Sequence, residues 1–235
     1  MRRFEEVDST NRLALELARA GEPEGLVLVA DHQTAGRGRL GRTWVAPPGS
    51  SLLTSILLRP GPSLPPERAH LVVAAVALSA ADAIEAATGV RPGLKWPNDL
   101  VVDDRKLAGV LAERDGSAIV VGIGINVNWP EELPADLAAI ATSANRLGRG
   151  GQVDRDQLLA TMLERLADRY RDWTRVASEY RRGCSTLGRS VRVELSDETF
   201  TGTAADVSDD GHLLVDVGMC LRTVTAGDVV HLRAT

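Results

Sequence analysis

Residues Gln33–Trp44, QTAGRGRLGRTW, hold three arginines (Arg37, Arg39, Arg42) and three glycines (Gly36, Gly38, Gly41) within seven consecutive positions. Guanidinium groups carry permanent charge and forked donors that match phosphate or carboxylate oxygens. Glycine lets a backbone approach a ligand closely and reach positive φ. Such a segment is too charged and too flexible for a core, and its chemistry is that of a mobile loop closing over an anion. Three other readings compete with this one. The glycines spell G-x-G-x-x-G after a strand-like Leu26–Ala30, the dinucleotide fingerprint. However, the following TWVAPPG cannot open a helix, and no acidic residue stands about twenty positions on. An RGR cluster suits nucleic acid, but the net charge is −5 and no second basic patch or aromatic interleaving accompanies it. A solvated charged loop is the plain alternative.

The second constellation is Lys95-Trp96-Pro97-Asn98-Asp99, followed by Lys106-Leu-Ala-Gly109. Of the 27 basic residues only these two are lysine. In so arginine-rich a chain, a retained lysine suggests a place that needs a compact, flexible ammonium. Pro97 breaks the strand and keeps Trp96 extended. Strands on either side of the turn bring Lys95, Asn98, Asp99 and Lys106 to one end of a sheet. A hairpin with surface charges is the plain alternative. On the sharper reading the cations bind a substrate anion, and Asp99 helps to position Mg²⁺ or another cation near phosphate. An arginine loop, two lysines and an acid together fit the activation of a carboxylate by a nucleotide. That reaction brings two anions together, so preorganised positive charge does most of the work. The acyl-adenylate product hydrolyses readily, which gives a water-excluding lid its purpose.

The elements that must position these groups are legible in outline. At 235 residues, 44% apolar and 25% charged, the chain suits one large domain or a medium and a small one. Ser9 or Thr10 reads as the N-cap of a helix over 12–20, and a helix N-terminus is also where a carboxylate or ureido oxygen would dock. Strands are expected over 25–31, 51–58, 94–96, 100–103, 106–114 and 117–128, the last with Gly122 and Gly124 inside it, a sign of close approach by a ligand or backbone. Asp103-Asp104-Arg105 reads as a hairpin turn. A long apolar helix is expected over 66–88, helical pieces over 130–149, a turn over 148–151, and continuous helical periodicity over 154–182. From about 186 onward five short strands (190–194, 199–207, 212–217, 221–225, 229–232) read as a small barrel. The expected division is therefore 1–185 and 186–235. The N-terminus lacks the apolar run of a signal peptide, and the longest apolar run, 71–78, is too short to span a bilayer. Cytoplasm is the default. Cys184 and Cys220 read as reduced structural thiols, four scattered histidines argue against a transition-metal site, and no G-x-S-x-G supports a serine triad.

The motifs Ser9-Thr10-Asn11, Gln33–Trp44, Lys95–Asp99, Arg105–Gly109 and Gly122-Ile-Gly-Ile-Asn126, in this order, resemble those of the biotin–protein ligases. The resemblance runs from about residue 5 to the end of the chain. It implies an α+β fold: a catalytic domain like class II aminoacyl-tRNA synthetases, with a mixed sheet flanked by helices, and a C-terminal SH3-like barrel. It also implies the reaction of biotin with ATP to biotinyl-5′-AMP and pyrophosphate, assisted by Mg²⁺, followed by transfer to a lysine of a biotin carboxyl carrier domain of a carboxylase. By the same resemblance Ser9, Thr10, Asn11 and Gln33 contact biotin, and Gly36, Arg37, Gly38 and Arg39 form the lid. Lys106 bridges the biotin carboxyl and the α-phosphate as the main catalytic residue. Asp99 and Lys95 support phosphate or Mg²⁺, Trp44 walls the nucleotide or biotin pocket, Gly109 and Gly124 belong to the binding residues, and Asn126 reads adenine. With the first motif at Ser9 there is no room for the DNA-binding domain of some members, so no repressor activity and no DNA partner are expected. Nor is a membrane partner, and a monomer or weak homodimer completes the expectation. The lipoate–protein ligases and octanoyltransferases, similar in fold, are the nearest rival class.

Overall fold

The structure, a computed structural model, describes residues 1–148 and 150–232. Arg149, in the expected 130–149 stretch and 148–151 turn, and residues 233–235, at the end of the expected barrel, lie outside the described residues. Seven strands form the first sheet: β1 Arg2–Val7, β2 Val27–Gln33, β3 Ser51–Leu58, β4 Gly93–Lys95, β5 Asp99–Val102, β6 Arg105–Asp115 and β7 Ala118–Asn126. Their order is β1-β2-β3-β7-β6-β5-β4. Only β1 and β2 are parallel, and every other neighbour is antiparallel. The second sheet is antiparallel, ordered β11-β10-β9-β8-β12, from β8 Ser190–Glu194, β9 Thr199–Val207, β10 Leu213–Asp216, β11 Leu221–Val224 and β12 Asp228–His231.

Both faces of the central strands are buried, which is why β3 and β7 read as near-continuous apolar runs. One face (Val27, Val29, Ile56, Leu58, Val121, Ile123) packs on α2, His70–Thr88. α2 is long and apolar enough by composition to cross a membrane, a property the short run 71–78 hides, yet thirteen of its side chains are buried inside this protein. Gly89, at φ 75°, closes it in the left-handed conformation that glycine tolerates. The other face (Leu26, Leu28, Leu57, Ala118, Val120) packs on Ala14 and Ala18 of α1, Thr10–Arg19, capped by Ser9. Two further helices, α4 Arg155–Arg169 and α5 Trp173–Gly183, lie against α2, and the short α3 Ala135–Ile140 follows β7.

Three elements depart from the sequence reading. β1 is an added edge strand whose charges leave only Phe4 and Val7 partly buried, so no alternation of apolar residues announces it. The helical periodicity over 154–182 is broken at Tyr170–Asp172, where Asp172 caps a new helix by accepting from Arg175 N. The expected strand at 94–96 ends at Lys95, where Trp96 turns into the seam between the two sheets. There Trp96 N donates to Thr186 Oγ1 and Nε1 to the Gly211 carbonyl, each at 3.0 Å. Second-sheet residues Val191, Val193, Ala204, Val215 and Val229 join the same core as α2.

Two histidines lie at this seam. His70 stacks on Trp96, and burial, with His212 and Arg39 nearby, lowers its pKa to about 4. His231, whose Nε2 is 3.0 Å from Thr186 Oγ1, is also lowered to about 4, by burial and then by Lys95 and Arg189. Both are neutral when folded and take up a proton on unfolding between about pH 4 and 6.5. Their stabilisation is complete above pH 6.5 and is lost as pH falls toward 4, by at most about 1.4 kcal/mol per pH unit per proton. Thermal unfolding from pH 7 to 4.5 is expected to show that decline, and His70→Phe to flatten it. An unchanged slope in the variant would remove His70 from the account.

Candidate active site

α1 packs on Leu26, Leu28, Leu57, Ala118 and Val120 of its face of the sheet. Beyond it the apolar residues of that face give way to Ser55, Gly122 and Gly124, and the loop 36–44 forms the roof. The register sets Lys95, Asp99, Gly109, Gly124 and Leu53 opposite one another across five strands. At the usual strand spacing, Lys95 to Gly124 spans about 15 Å. This row is the floor of an elongated site.

Its deep end is neutral and polar. Gln33 Oε1 accepts from Thr10 N (2.7 Å) and Thr10 Oγ1 (2.9 Å). Ser55 Oγ contacts Thr10 Oγ1 (2.7 Å) and Asn11 Oδ1 (2.6 Å). Asn11 Nδ2 donates to the Leu111 carbonyl and to Glu113 Oε2. Ser9 lines the same cavity while capping α1 through Arg12 N. Two glycines make room here: a Cβ on Gly122 would lie 2.1 Å from Asn11 Oδ1, and one on Gly124 2.5 Å from Trp44 Cε2. The Trp44 ring lies against Gly109 and Gly124, leaving a cavity of about 30 Å³, and its buried Nε1 has no partner among the described residues.

The middle of the site is charged. Pairing between β5 and β6 slips at Leu100/Val101, so Leu107 and Ala108 both enter the core under α2. This bulge re-aims Lys106 to the opposite face, over Gly109. Lys106 Nζ lies 2.7 Å from Asp99 Oδ1 and 5.6 Å from the Trp44 ring centre. The approach to Asp99 is not along a hydrogen-bond direction, so this is an ion pair whose carboxylate oxygen keeps bonding capacity. A cavity of about 300 Å³ joins Arg37, Arg39, Trp44, Lys95, Asp99 and Lys106, and a second of about 870 Å³ continues past Lys95 and Lys106 to Ile140, Arg189 and His231.

The three loop arginines differ. Arg37 pairs with Glu113 at 3.0 Å and Arg42 with Asp228 at 2.6 Å. Arg39 donates only to neutral acceptors, Asn98 Oδ1 (3.2 Å) and the Gly227 carbonyl (2.9 Å). Burial lowers its pKa, opposed by Asp228 and Asp99. Among the described residues neither Arg39 nor Lys95 has a carboxylate within 4.0 Å. These two cations are left to attract an anion from outside. Gly36 is buried beneath the loop, where a Cβ would meet the Trp44 carbonyl at 2.4 Å, and Gly38 closes the hairpin by donating to the Arg42 carbonyl at 2.7 Å.

One expected role does not fit. Asn126, assigned to read adenine, is 3% exposed, and its Nδ2 donates to the carbonyls of Thr142 (3.0 Å) and Lys106 (3.4 Å). It braces the backbone at Lys106, its amide protons spent inside the fold. Conversely, Ser55, Glu113 and Asp228 escape sequence reading because only strand register and long-range docking bring them to the site. A serine at the odd-numbered face of β3 was the one available signal.

Two family profiles match the chain: Biotin/lipoate A/B protein ligase family over residues 4–129, and Biotin protein ligase C terminal domain over 186–232. A biotin–[acetyl-CoA-carboxylase] ligase of Mycobacterium tuberculosis is 39% identical, over 96% of this chain and 86% of the relative. The bifunctional ligase/repressor BirA of Bacillus subtilis is 32% identical, over 95% and 71% respectively. The biotin protein ligase from Aquifex aeolicus in complex with biotin and ATP superposes with a TM-score of 0.83 at 29% identity, covering 99% of this chain and 98% of that one. The chain belongs to the biotin/lipoate A/B protein ligase family.

Proposed function

We propose that this enzyme joins biotin to ATP, forming biotinyl-5′-AMP and pyrophosphate, and passes the biotinyl group to one lysine of a biotin carboxyl carrier domain of a carboxylase. The observation that carries the reading is the polarity of the site's floor. Hydroxyls and amides of Ser9, Thr10, Asn11 and Gln33 line the deep end beside Arg37, with Ser55 bonded behind them, and Arg39, Lys95 and Lys106 line the rest with Asp99. A ureido ring both donates and accepts hydrogen bonds and suits that deep end. The dithiolane of lipoate offers this polar wall no donor or acceptor, so it gains none of the hydrogen bonds open to a ureido ring.

With the head group at Gly122 and Gly124, the acid tail points along the row toward Lys106. Its carboxylate oxygen attacks the α-phosphorus, the bond to the bridging oxygen breaks, and pyrophosphate leaves toward Lys95 and the larger cavity. Lys106 screens the two approaching anions. Arg39 covers the adenylate, Trp44 closes over the ring, and the carrier lysine then attacks the acyl carbon as AMP departs. The deep arrangement at Asn11 and Gln33 holds the head group throughout.

Among the described residues no group of three or more His, Cys, Asp or Glu side chains could by itself hold a metal. Mg²⁺ commonly binds through one or two carboxylates plus substrate phosphates. Asp99, a carboxylate lining the charged cavity, fits that role and would hold Mg²⁺ against the departing phosphates. We further read the catalytic part as class II synthetase-like over 1–185 and the five-stranded unit over 186–235 as an SH3-like barrel, since each of its strands buries at least one side chain in the core. A cytoplasmic setting suits the substrates.

Gly124→Ala places a methyl group against Trp44, and overpacking of this kind costs about 1–3 kcal/mol. The KM for biotin is expected to rise about tenfold or more and Tm to fall by about 2–10 °C through the same crowding, and an unchanged KM would move the head group elsewhere. The function itself is tested by incubating an isolated carrier domain with enzyme, biotin and ATP. Mass spectrometry is expected to find one biotinyl group, absent when the acceptor lysine is replaced by arginine. Failure to label the native carrier would contradict the reading.

A further inference from the structure

Among the described residues, the arginine loop bonds to the second sheet at the turn between β11 and β12. Arg39 spans from Asn98 of the Lys95–Asp99 turn to the Gly227 carbonyl, and Arg42 pairs with Asp228. One guanidinium thus ties together the loop, the floor and the C-terminal sheet. The loop needs such a tie. Its tip, Leu40, is 69% exposed and sits at φ 54°, a left-handed conformation unfavourable for a side chain of this type. Within the loop, closure rests on the Arg37–Thr43 bridge, made by the hydrogen bonds from Gly38 N to the Arg42 carbonyl and from Trp44 N to the Gly36 carbonyl. Asp228 also faces Arg39, where its charge opposes the effect of burial.

We infer that Gly227-Asp228 is a latch by which the C-terminal sheet holds the arginine loop closed over the reaction intermediate, with Asp228 as the positioning residue. This deepens the proposed function and rests on it for its purpose, though not for its test. The latch orients Arg42 directly and Arg39 through it, and leaves Arg39 without a carboxylate partner of its own. A loop that must admit biotin and later the carrier lysine cannot be closed permanently. An exposed ion pair with one shared guanidinium is weak enough to release. Its strength is expected to fall with salt.

Trypsin reads the latch without any ligand. The peptide bond after Arg39 is accessible at Leu40, but a protease can engage Arg39 only when the side chain leaves Gly227. Asp228→Ala is expected to speed cleavage after Arg39 about threefold to fivefold, the range an exposed ion pair supports. It is also expected to speed escape of biotinyl-AMP from the enzyme by a similar factor. Arg42→Glu should do the same, and the exchanged pair Arg42→Glu/Asp228→Arg should recover protection. The recovery separates a latch from loss of folding, because a damaged sheet would not be repaired by a second substitution. Cleavage unchanged in the single variants, or raised equally in the exchanged pair, overturns the latch. Absence of biotin-dependent chemistry in the native enzyme would instead overturn the proposed function and leave the cleavage result standing.

Discussion

Lys106→Ala is expected to lower biotin-dependent pyrophosphate exchange about a thousandfold. The reaction forces a carboxylate against a phosphate, and Lys106 is placed between them by a specific backbone irregularity, the bulge that sends Leu107 and Ala108 into the core. Removing one preorganised group that meets developing charge typically costs roughly 10²–10³ in rate. Here the loss also strands Asp99, the ion-pair partner at 2.7 Å, as an uncompensated anion facing an anionic substrate. Both effects act in the same direction. Lys106→Arg should recover little, because the ammonium fits in the gap between Gly109 and Trp44, where a wider planar fork does not. Exchange kinetics on the three proteins check this. Activity of Lys106→Ala within tenfold of the native enzyme would remove Lys106 from the mechanism.

Arg39→Ala has the second largest expected effect, and it falls on a different step. Arg39 meets only neutral acceptors in the fold, so its charge is available to the adenylate phosphate. A lost hydrogen bond to a charged group costs about 1.5–3 kcal/mol, or roughly tenfold to a hundredfold in retention of biotinyl-AMP. The side chain sits on a surface loop, so the unfolding temperature should move little. Quench-flow measurement of adenylate escape distinguishes this from a first-step defect. Unchanged escape would mean that the loop does not act as a lid.

Much of the site was visible in the sequence because its chemistry is carried by residue types in short runs. The Gly-Arg loop and two isolated lysines stand out from their background whatever the fold. Long apolar strands and glycine-marked turns were equally clear, and β3, β8 and β9 occupy the expected residues. The hairpin at Asp103-Asp104 is also present, both residues at positive φ (51° and 59°) as a tight hairpin turn requires. What sequence did not reveal depends on distance. Tyr170–Asp172 interrupts a helix whose apolar spacing continues on either side, so periodicity alone joined α4 and α5. β1 is charged on an edge, where alternation gives no signal. Arg37 and Arg42 are neutralised by Glu113 and Asp228, far away along the chain, and only their pairing reveals Arg39 as the unmatched arginine. The adenine role of Asn126 is what the family resemblance implies, whereas burial makes the side chain a brace for the backbone at Lys106.

The most direct test of the central claim is pyrophosphate exchange into ATP with native enzyme and Mg²⁺, run with biotin, with lipoate, and with neither acid. Exchange that requires biotin is the predicted result, since the hydroxyls and amides at the deep end of the floor match a ureido ring. Exchange that requires lipoate, or none with either acid from folded protein, would contradict it.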